Sequence, residues 1–301
     1  MATGNWRKTW LICLTTVAFV LTANACSSSA LETGPSDTTP NDTTPVVKPT
    51  VDPRAALGSV DAAASSAVEA GRSTVPPPPD GWRVVFEDGF DLTQIDPASW
   101  TIENRAATNM GEISFYSRDD AYTRDGQLVL RAQKRAQGGR QFTTAQVSSH
   151  FSFQYGRVDI RAKMPMSQGF WPALWLLPTA GSAQGFLPEI DIHESISNLG
   201  GFFANFHWKS GSAKHEFGPV HVDTDATAWH VYSIEWTPDR IAWLLDDQEV
   251  ASATDGVDTT SQSKMYLLIT FALGGSWPGP PDQTTVFPSE MLIDWVRVAQ
   301  R

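Results

Sequence analysis

From Tyr155 to Met164 apolar and charged residues alternate almost without interruption. Val158, Ile160, Ala162 and Met164 fall on one side, and Arg157, Asp159, Arg161 and Lys163 on the other. Side chains of a β-strand point to opposite faces in turn, so this segment predicts an antiparallel strand buried on one face and wet on the other. Shorter runs of the same kind recur at residues 84–86, 127–132, 201–208, 231–236, 241–245, 265–272 and 291–298. Arg124-Asp125-Gly126, Pro238-Asp239, Asp246-Asp247 and Gly274-Gly275 punctuate them as turns. Many strands without a long helical period predict an all-β chain folded as two antiparallel sheets packed face to face, a β-sandwich.

Chemistry concentrates in residues 187–195, Leu-Pro-Glu-Ile-Asp-Ile-His-Glu-Ser, where Glu189, Asp191 and Glu194 fall within six positions. As a strand, the segment sends Glu189 and Asp191 to one face and Ile190 and Ile192 to the other. Glu194 joins the first two only if one extra residue is inserted after Asp191, which is what a β-bulge does, and bulges re-aim side chains beside active sites. His193 then faces away from the acids. Such a spacing of acids arises by chance in about one 300-residue chain in twenty. On pattern alone it reads equally well as a solvated acidic strand edge or as a pair of catalytic carboxylates around a third.

The rest of the chain divides by composition. Arg7 and Lys8 precede an apolar run from Thr9 to Ala23 that ends in Ala23-Asn24-Ala25-Cys26, so residues 1–26 read as a secretory signal peptide. A cysteine in that position also fits a lipoprotein site, with Cys26 lipidated as the single membrane contact. The other cysteine, Cys13, lies inside the apolar run, so a disulfide framework is excluded. Residues 27–80 are rich in Ser, Thr, Pro and Ala, with too little apolar surface to repay ordering, and read as a tether. Residues 81–301 form the folded domain. The expected location is extracellular or in the cell envelope, as a monomer.

The formal net charge of −11 argues against a nucleic-acid partner. Ten of the twelve tryptophans lie between Trp82 and Trp295. Aromatic faces stack on sugar rings while acids and amides bind hydroxyls, so a polysaccharide is the expected partner.

Ordered motifs then carry a resemblance. Phe86-Glu87-Asp88-Gly89-Phe90, Thr143-Thr144-Ala145, residues 155–165, Gly169-Phe170-Trp171-Pro172-Ala173-Leu174-Trp175 and residues 189–194 occur in sequence. They are followed by Trp229-His230-Val231-Tyr232, residues 235–239, Gly274-Gly275-Ser276-Trp277-Pro278-Gly279 and Asp294-Trp295-Val296-Arg297-Val298. Over residues 81–301 the chain resembles glycoside hydrolase family 16, retaining endo-glycanases on a concanavalin A-like jelly-roll sandwich. The six-residue acid motif resembles the bulged, laminarinase-like branch. The resemblance implies Glu189 as nucleophile, Glu194 as general acid and base, and Asp191 as the residue that orients Glu189. It implies hydrolysis of internal β-1,3 or mixed β-1,3-1,4 linkages of a glucan.

Other site residues are expected on mixed grounds. Trp171 and Trp175, four apart in an extended stretch, share a face and serve as sugar platforms or as core filling. His207 resembles a family residue near the site, or is a structural histidine. Trp277 sits in a Gly- and Pro-rich loop of the kind that carries function. Glu112 and Asn104 lie where the family contacts sugar. Thr270, Gln146 and Gly89 depart from the family pattern, Gly89 beside its calcium site. No cofactor is required, no second His or Cys sits at zinc-ligand spacing, and a structural calcium stays open because Asp294 is retained. The competing readings are an agarase- or carrageenase-like enzyme, a depolymerase of an acidic exopolysaccharide, a transglycosylase, a non-catalytic glycan-binding module and a structural spacer.

Overall fold

A computed structural model describes residues 74–179 and 187–301. The expected signal peptide, Cys26 and most of the tether lie outside the described residues.

The strands in chain order begin with β1 (Arg83–Asp88), β2 (Trp100–Ile102), β3 (Arg105–Ala106), β4 (Ser114–Tyr116), β5 (Ala121–Arg124) and β6 (Gln127–Ala132). They continue through β7 (Phe142–Phe153), β8 (Gly156–Lys163), β9 (Phe170–Pro178), β10 (Glu189–Glu194), β11 (Phe202–Ser210) and β12 (Ala213–Val222). The last are β13 (His230–Trp236), β14 (Ile241–Leu245), β15 (Gln248–Ala253), β16 (Met265–Leu273) and β17 (Ser289–Gln300). Helix among the described residues is confined to short 3-10 turns. One sheet runs β15-β14-β13-β8-β17-β6-β5 with β1 on β17, and the other β12-β11-β10-β9-β16-β7-β4-β3 with β2 on β7. The fold is the expected jelly-roll sandwich. Pairing is antiparallel except between β4 and β7, which run parallel.

The core lies between the sheets. From the second sheet, β9 contributes Leu174 and Leu176, β10 contributes Ile190 and Ile192, and β16 contributes Ile269 and Phe271. These meet Val158, Ile160, Tyr232, Ile234, Val296 and Val298 of the first, all essentially without solvent contact. Each such side chain stabilises the fold by about 1.5–3 kcal/mol relative to exposure. Because alternate residues face opposite ways, burying these leaves their neighbours on the open face of the second sheet, where the acids stand.

Three expectations change. The charged face of β8 is wet only toward its end: Lys163 is exposed and Arg161 half-buried, but Arg157 and Asp159 are buried. β8 is a central strand between β13 and β17, and neighbours close over its polar side. Asp159 accepts hydrogen bonds from Arg157 Nε at 2.7 Å, Ser233 Oγ at 2.7 Å and Arg297 Nη2 at 2.8 Å, which satisfies a charge that burial would otherwise penalise. The tether boundary also moves, since Arg297 donates from Nη1 to the carbonyl of Pro76, so part of residues 74–80 belongs to the folded unit. β7 and β12 are full strands that alternation did not mark. β7 is buried on both faces over much of its length, and β12 is exposed on most of its residues.

Candidate active site

β10 carries the acids, and its local irregularity aims them. Against β9 the register runs Asp191 to Trp175 and then His193 to Leu174, and against β11 it runs Asp191 to Asn205 and then Glu194 to Phe203. One extra residue therefore follows Asp191 on β10, the predicted bulge. Ile192 and His193 both turn inward, His193 stacking on Phe202 at 5.0 Å and against Tyr232 at 4.4 Å. Glu189, Asp191 and Glu194 line one pocket with Trp171, Ala173 and Trp175 of β9 and Thr270 and Ala272 of β16.

The bulge is held from both sides. A bulge frees backbone groups from the ladder, and the Asp191 carbonyl accepts a 2.8 Å hydrogen bond from Nε1 of Trp243, a buried residue of the facing sheet. Behind it, Ser195 Oγ lies 2.8 Å from His193 Nε2 and donates to the Gly201 carbonyl at 3.0 Å. Having spent its one proton there, Ser195 accepts from His193, which fixes the Nε2–H tautomer. Burial lowers His193 to about 3, so the ring is neutral.

Glu194 is oriented by two donors. Trp171 Nε1 reaches Oε1 at 2.9 Å, and Asn205 Nδ2 reaches Oε2. Burial raises the Glu194 carboxyl, while the Trp171 and Asn205 hydrogen bonds oppose the shift. Asp191 is raised well above the usual carboxylate range, first by its complete burial and then by repulsion from Glu194. Burial and Asp191 raise Glu189 as well, with His207 pulling the other way. Three acids so close do not all ionise. The hydrogen bond between Glu189 and Asp191 raises Glu189 further and lowers Asp191 against the effect of its burial.

The expected binding residues separate into groups. Trp175 is partly exposed in the pocket and donates from Nε1 to Thr270 Oγ1 at 2.9 Å. Trp171 lines the pocket yet is only 7% exposed: it is buried in a small apolar cluster with Ile196 and Ala272, its ring meets Trp277 at 5.8 Å and its N–H is committed to Glu194. Trp277 packs over Trp171 and over Phe203 at 5.1 Å, outside the pocket lining. His207, opposite Glu189 on β11, places Nε2 3.2 Å from Asp191 Oδ2. Glu112 lines the pocket, accepts from Tyr116 at 2.9 Å through Oε1 and leaves Oε2 buried without a partner. Burial raises it too. Asn104 is exposed and outside the lining, where Asn109 stands instead.

Asn205, Asn109 and Trp243 went unmarked in the sequence. Asn205 had a signal, two residues before His207 and therefore on its face; Trp243 had none, because its role depends on how the sheets stack. At the expected calcium position, Asp88 accepts from Phe90 N–H at 2.7 Å and Trp100 Nε1 at 2.8 Å, and Asp294 lies 2.6 Å from Arg161. Both carboxylates are therefore already engaged by groups of the protein itself, where a calcium ion takes six or more oxygens.

The family model for glycosyl hydrolases family 16 matches residues 109–297, well over half of the chain. A beta-glucanase of Rhodothermus marinus is 31% identical over 244 residues, covering 72% of this chain and 85% of that protein. The endo-1,3-1,4-beta-glycanase ExsH of Rhizobium meliloti (strain 1021) is 36% identical over 242 residues; the match covers 70% of this chain but only 50% of ExsH. Among solved structures, the laminarinase catalytic domain of Thermotoga maritima MSB8 superposes with a TM-score of 0.63 at 30% identity, over 73% of this chain and 98% of that one.

Proposed function

For a chain that belongs to glycosyl hydrolase family 16 and is a glycoside hydrolase, we propose the activity of an exported endo-β-glucanase that cuts internal β-1,3, or mixed β-1,3-1,4, linkages with retention of configuration. The observation that carries this is the placement of Glu189 and Glu194 on one face of a single bulged strand, either side of Asp191, in a pocket walled by tryptophan.

The ionised Glu189 attacks the anomeric carbon as Glu194 passes its proton to the departing glycosidic oxygen. A covalent glycosyl ester on Glu189 results. Glu194, now a base, takes a proton from water, whose oxygen displaces Glu189 from the same face that the leaving group left. Asp191, two residues along on the same face and hydrogen-bonded to Glu189, aligns that carboxylate. Trp171 and Asn205 keep the Glu194 oxygens in place through both steps.

An uncharged glucan is favoured over a sulfated or carboxylated polymer because, among the described residues, the pocket lining includes Glu112, Glu189, Asp191 and Glu194 and no lysine or arginine. Like charges brought together in a desolvated site cost several kcal/mol. Export rests on the pattern of residues 1–26, and lipid attachment on Cys26.

The test is reducing-sugar release from laminarin, mixed-linkage glucan, agarose, carrageenan and an acidic exopolysaccharide, with Glu189→Gln in parallel and the first-formed anomer followed by proton NMR. Release from a β-glucan as the β-anomer, abolished in Glu189→Gln, supports the proposal. An α-anomer rejects retention. Binding without cleavage of any polymer makes the chain a glycan-binding module.

A further inference from the structure

The acid strand and its neighbour assemble a group of donors that sequence spacing hid. Glu189 and His207 are direct cross-strand partners in the β10–β11 register, and Asp191 is two residues along on the same face. Among the described residues these three are the one set of acidic and imidazole side chains whose ligand atoms all lie within 4.8 Å of one another. The donors come from two strands, so no local motif announces them.

A second observation concerns Asp191 Oδ2. This oxygen is fully buried and has no hydrogen-bond partner. His207 Nε2 is only 3.2 Å away, but its direction is not that of a hydrogen bond. The oxygen is left buried without a partner beside a ring nitrogen and the Glu189 carboxylate, all within 4.8 Å. Ligands about 2.1 Å from a tetrahedral ion stand about 3.4 Å apart, close to the separation these two atoms already have. Glu189, with two further side-chain torsions, supplies a third oxygen by a small lean.

We propose that Glu189, Asp191 and His207 form a binding site for a divalent transition-metal ion of the zinc and copper class, which occupies the position of the reacting sugar and blocks it. One imidazole and two carboxylates select such ions over magnesium and calcium, whose ligands are oxygen alone. Three protein ligands leave a fourth position for water, the pattern of an open site. The ion takes the lone pairs of Glu189, so metal and glycan exclude each other. The site stands whether or not the chain cleaves glucan, because metal binding is read directly.

Zinc chloride is titrated calorimetrically into the full chain, into His207→Gln and into His215→Gln, a control at an exposed histidine of β12. The wild type and His215→Gln should share one equivalent that His207→Gln binds about 10- to 100-fold more weakly, as expected when a metal site loses part of its support. Zinc should also raise the unfolding temperature of the wild type and leave that of His207→Gln unmoved. If His207→Gln does not fold, Glu189→Gln takes its place in the same comparison. Absence of saturable zinc binding to the wild type overturns the proposal, as does undiminished binding to the variants or an equal loss in His215→Gln.

Discussion

Trp243 of one sheet reaches through the core to hold the backbone carbonyl of Asp191 in the other, at 2.8 Å. The bulge that brings Glu194 round to the side of Glu189 is thereby anchored from the opposite wall of the sandwich. Trp243→Phe keeps an aromatic ring in the core and removes the donor. The orphaned carbonyl should cost about 1–3 kcal/mol, with the vacated indole volume adding to it, measured by urea unfolding. Turnover on the substrate should fall more than KM changes, because the altered quantity is the aim of the acids and not the sugar-binding surface. An unchanged kcat would mean that the bulge holds its shape without the indole.

Glu194 offers a sharper kinetic test. Trp171 and Asn205 both donate to its carboxylate, and such donors lower the pKa of the acid they touch. Removing one, as in Asn205→Ala, raises it. The general acid then stays protonated to higher pH, so the alkaline limb of the pH–rate profile should move upward while the maximal rate falls, by up to about 100-fold, through lost alignment. A limb that stays in place or moves down would assign it to a different group.

Much of this site was legible in the residues, and what was not has identifiable causes. The alternation in residues 189–194 called for a bulge after Asp191, and the register slips there. His193 turned inward as that geometry required. Local periodicity placed the strands that bury one face, but it is silent where both faces behave alike: β7 is largely buried on both and β12 largely exposed. It also assigned Arg157 and Asp159 to solvent, because a charged strand face looks the same whether water or a matching network covers it. The contacts that needed the third dimension were Trp243 on Asp191, Trp277 over Trp171, and His207 beside Asp191. Asn104 was misplaced for a related reason: the loop preceding β4 brings Asn109, not Asn104, to the pocket.

The N-terminal boundary makes a prediction of its own. Arg297 is buried and donates to both the Asp159 carboxylate and the Pro76 carbonyl. A chain begun at residue 81 loses the second partner and leaves a guanidinium N–H unsatisfied, whereas one begun at residue 74 keeps it. The shorter chain should be less stable by about 1–3 kcal/mol, read from paired urea curves, with equal activity at low temperature. Equal stability would place the Pro76 contact outside the cooperative unit.

The acid cluster should make the native state less stable as pH rises. Burial and mutual repulsion raise Asp191 and Glu189 above their unfolded values. The folded chain therefore holds these protons to higher pH than the unfolded chain does. Below the unfolded carboxylate pKa of about 4 both states are protonated and the cluster exacts nothing. Above it the unfolded state ionises first, and stability declines until the folded groups ionise too. Asp191→Asn removes the most deeply buried of the charges and relieves Glu189 and Glu194. His193 contributes the opposite slope: with its pKa lowered to about 3 from the usual 6.5, it weakens the fold as pH falls below the usual value. That contribution is common to wild type and variant and cancels in their difference. The difference in unfolding free energy, taken by urea titration at steps from pH 4 to pH 8, should start near its minimum and grow in favour of Asp191→Asn as pH rises, while the variant loses turnover. A flat difference, or one that favours the wild type at pH 7, would show that Asp191 is held as a stabilising ion and not as a strained acid kept for chemistry.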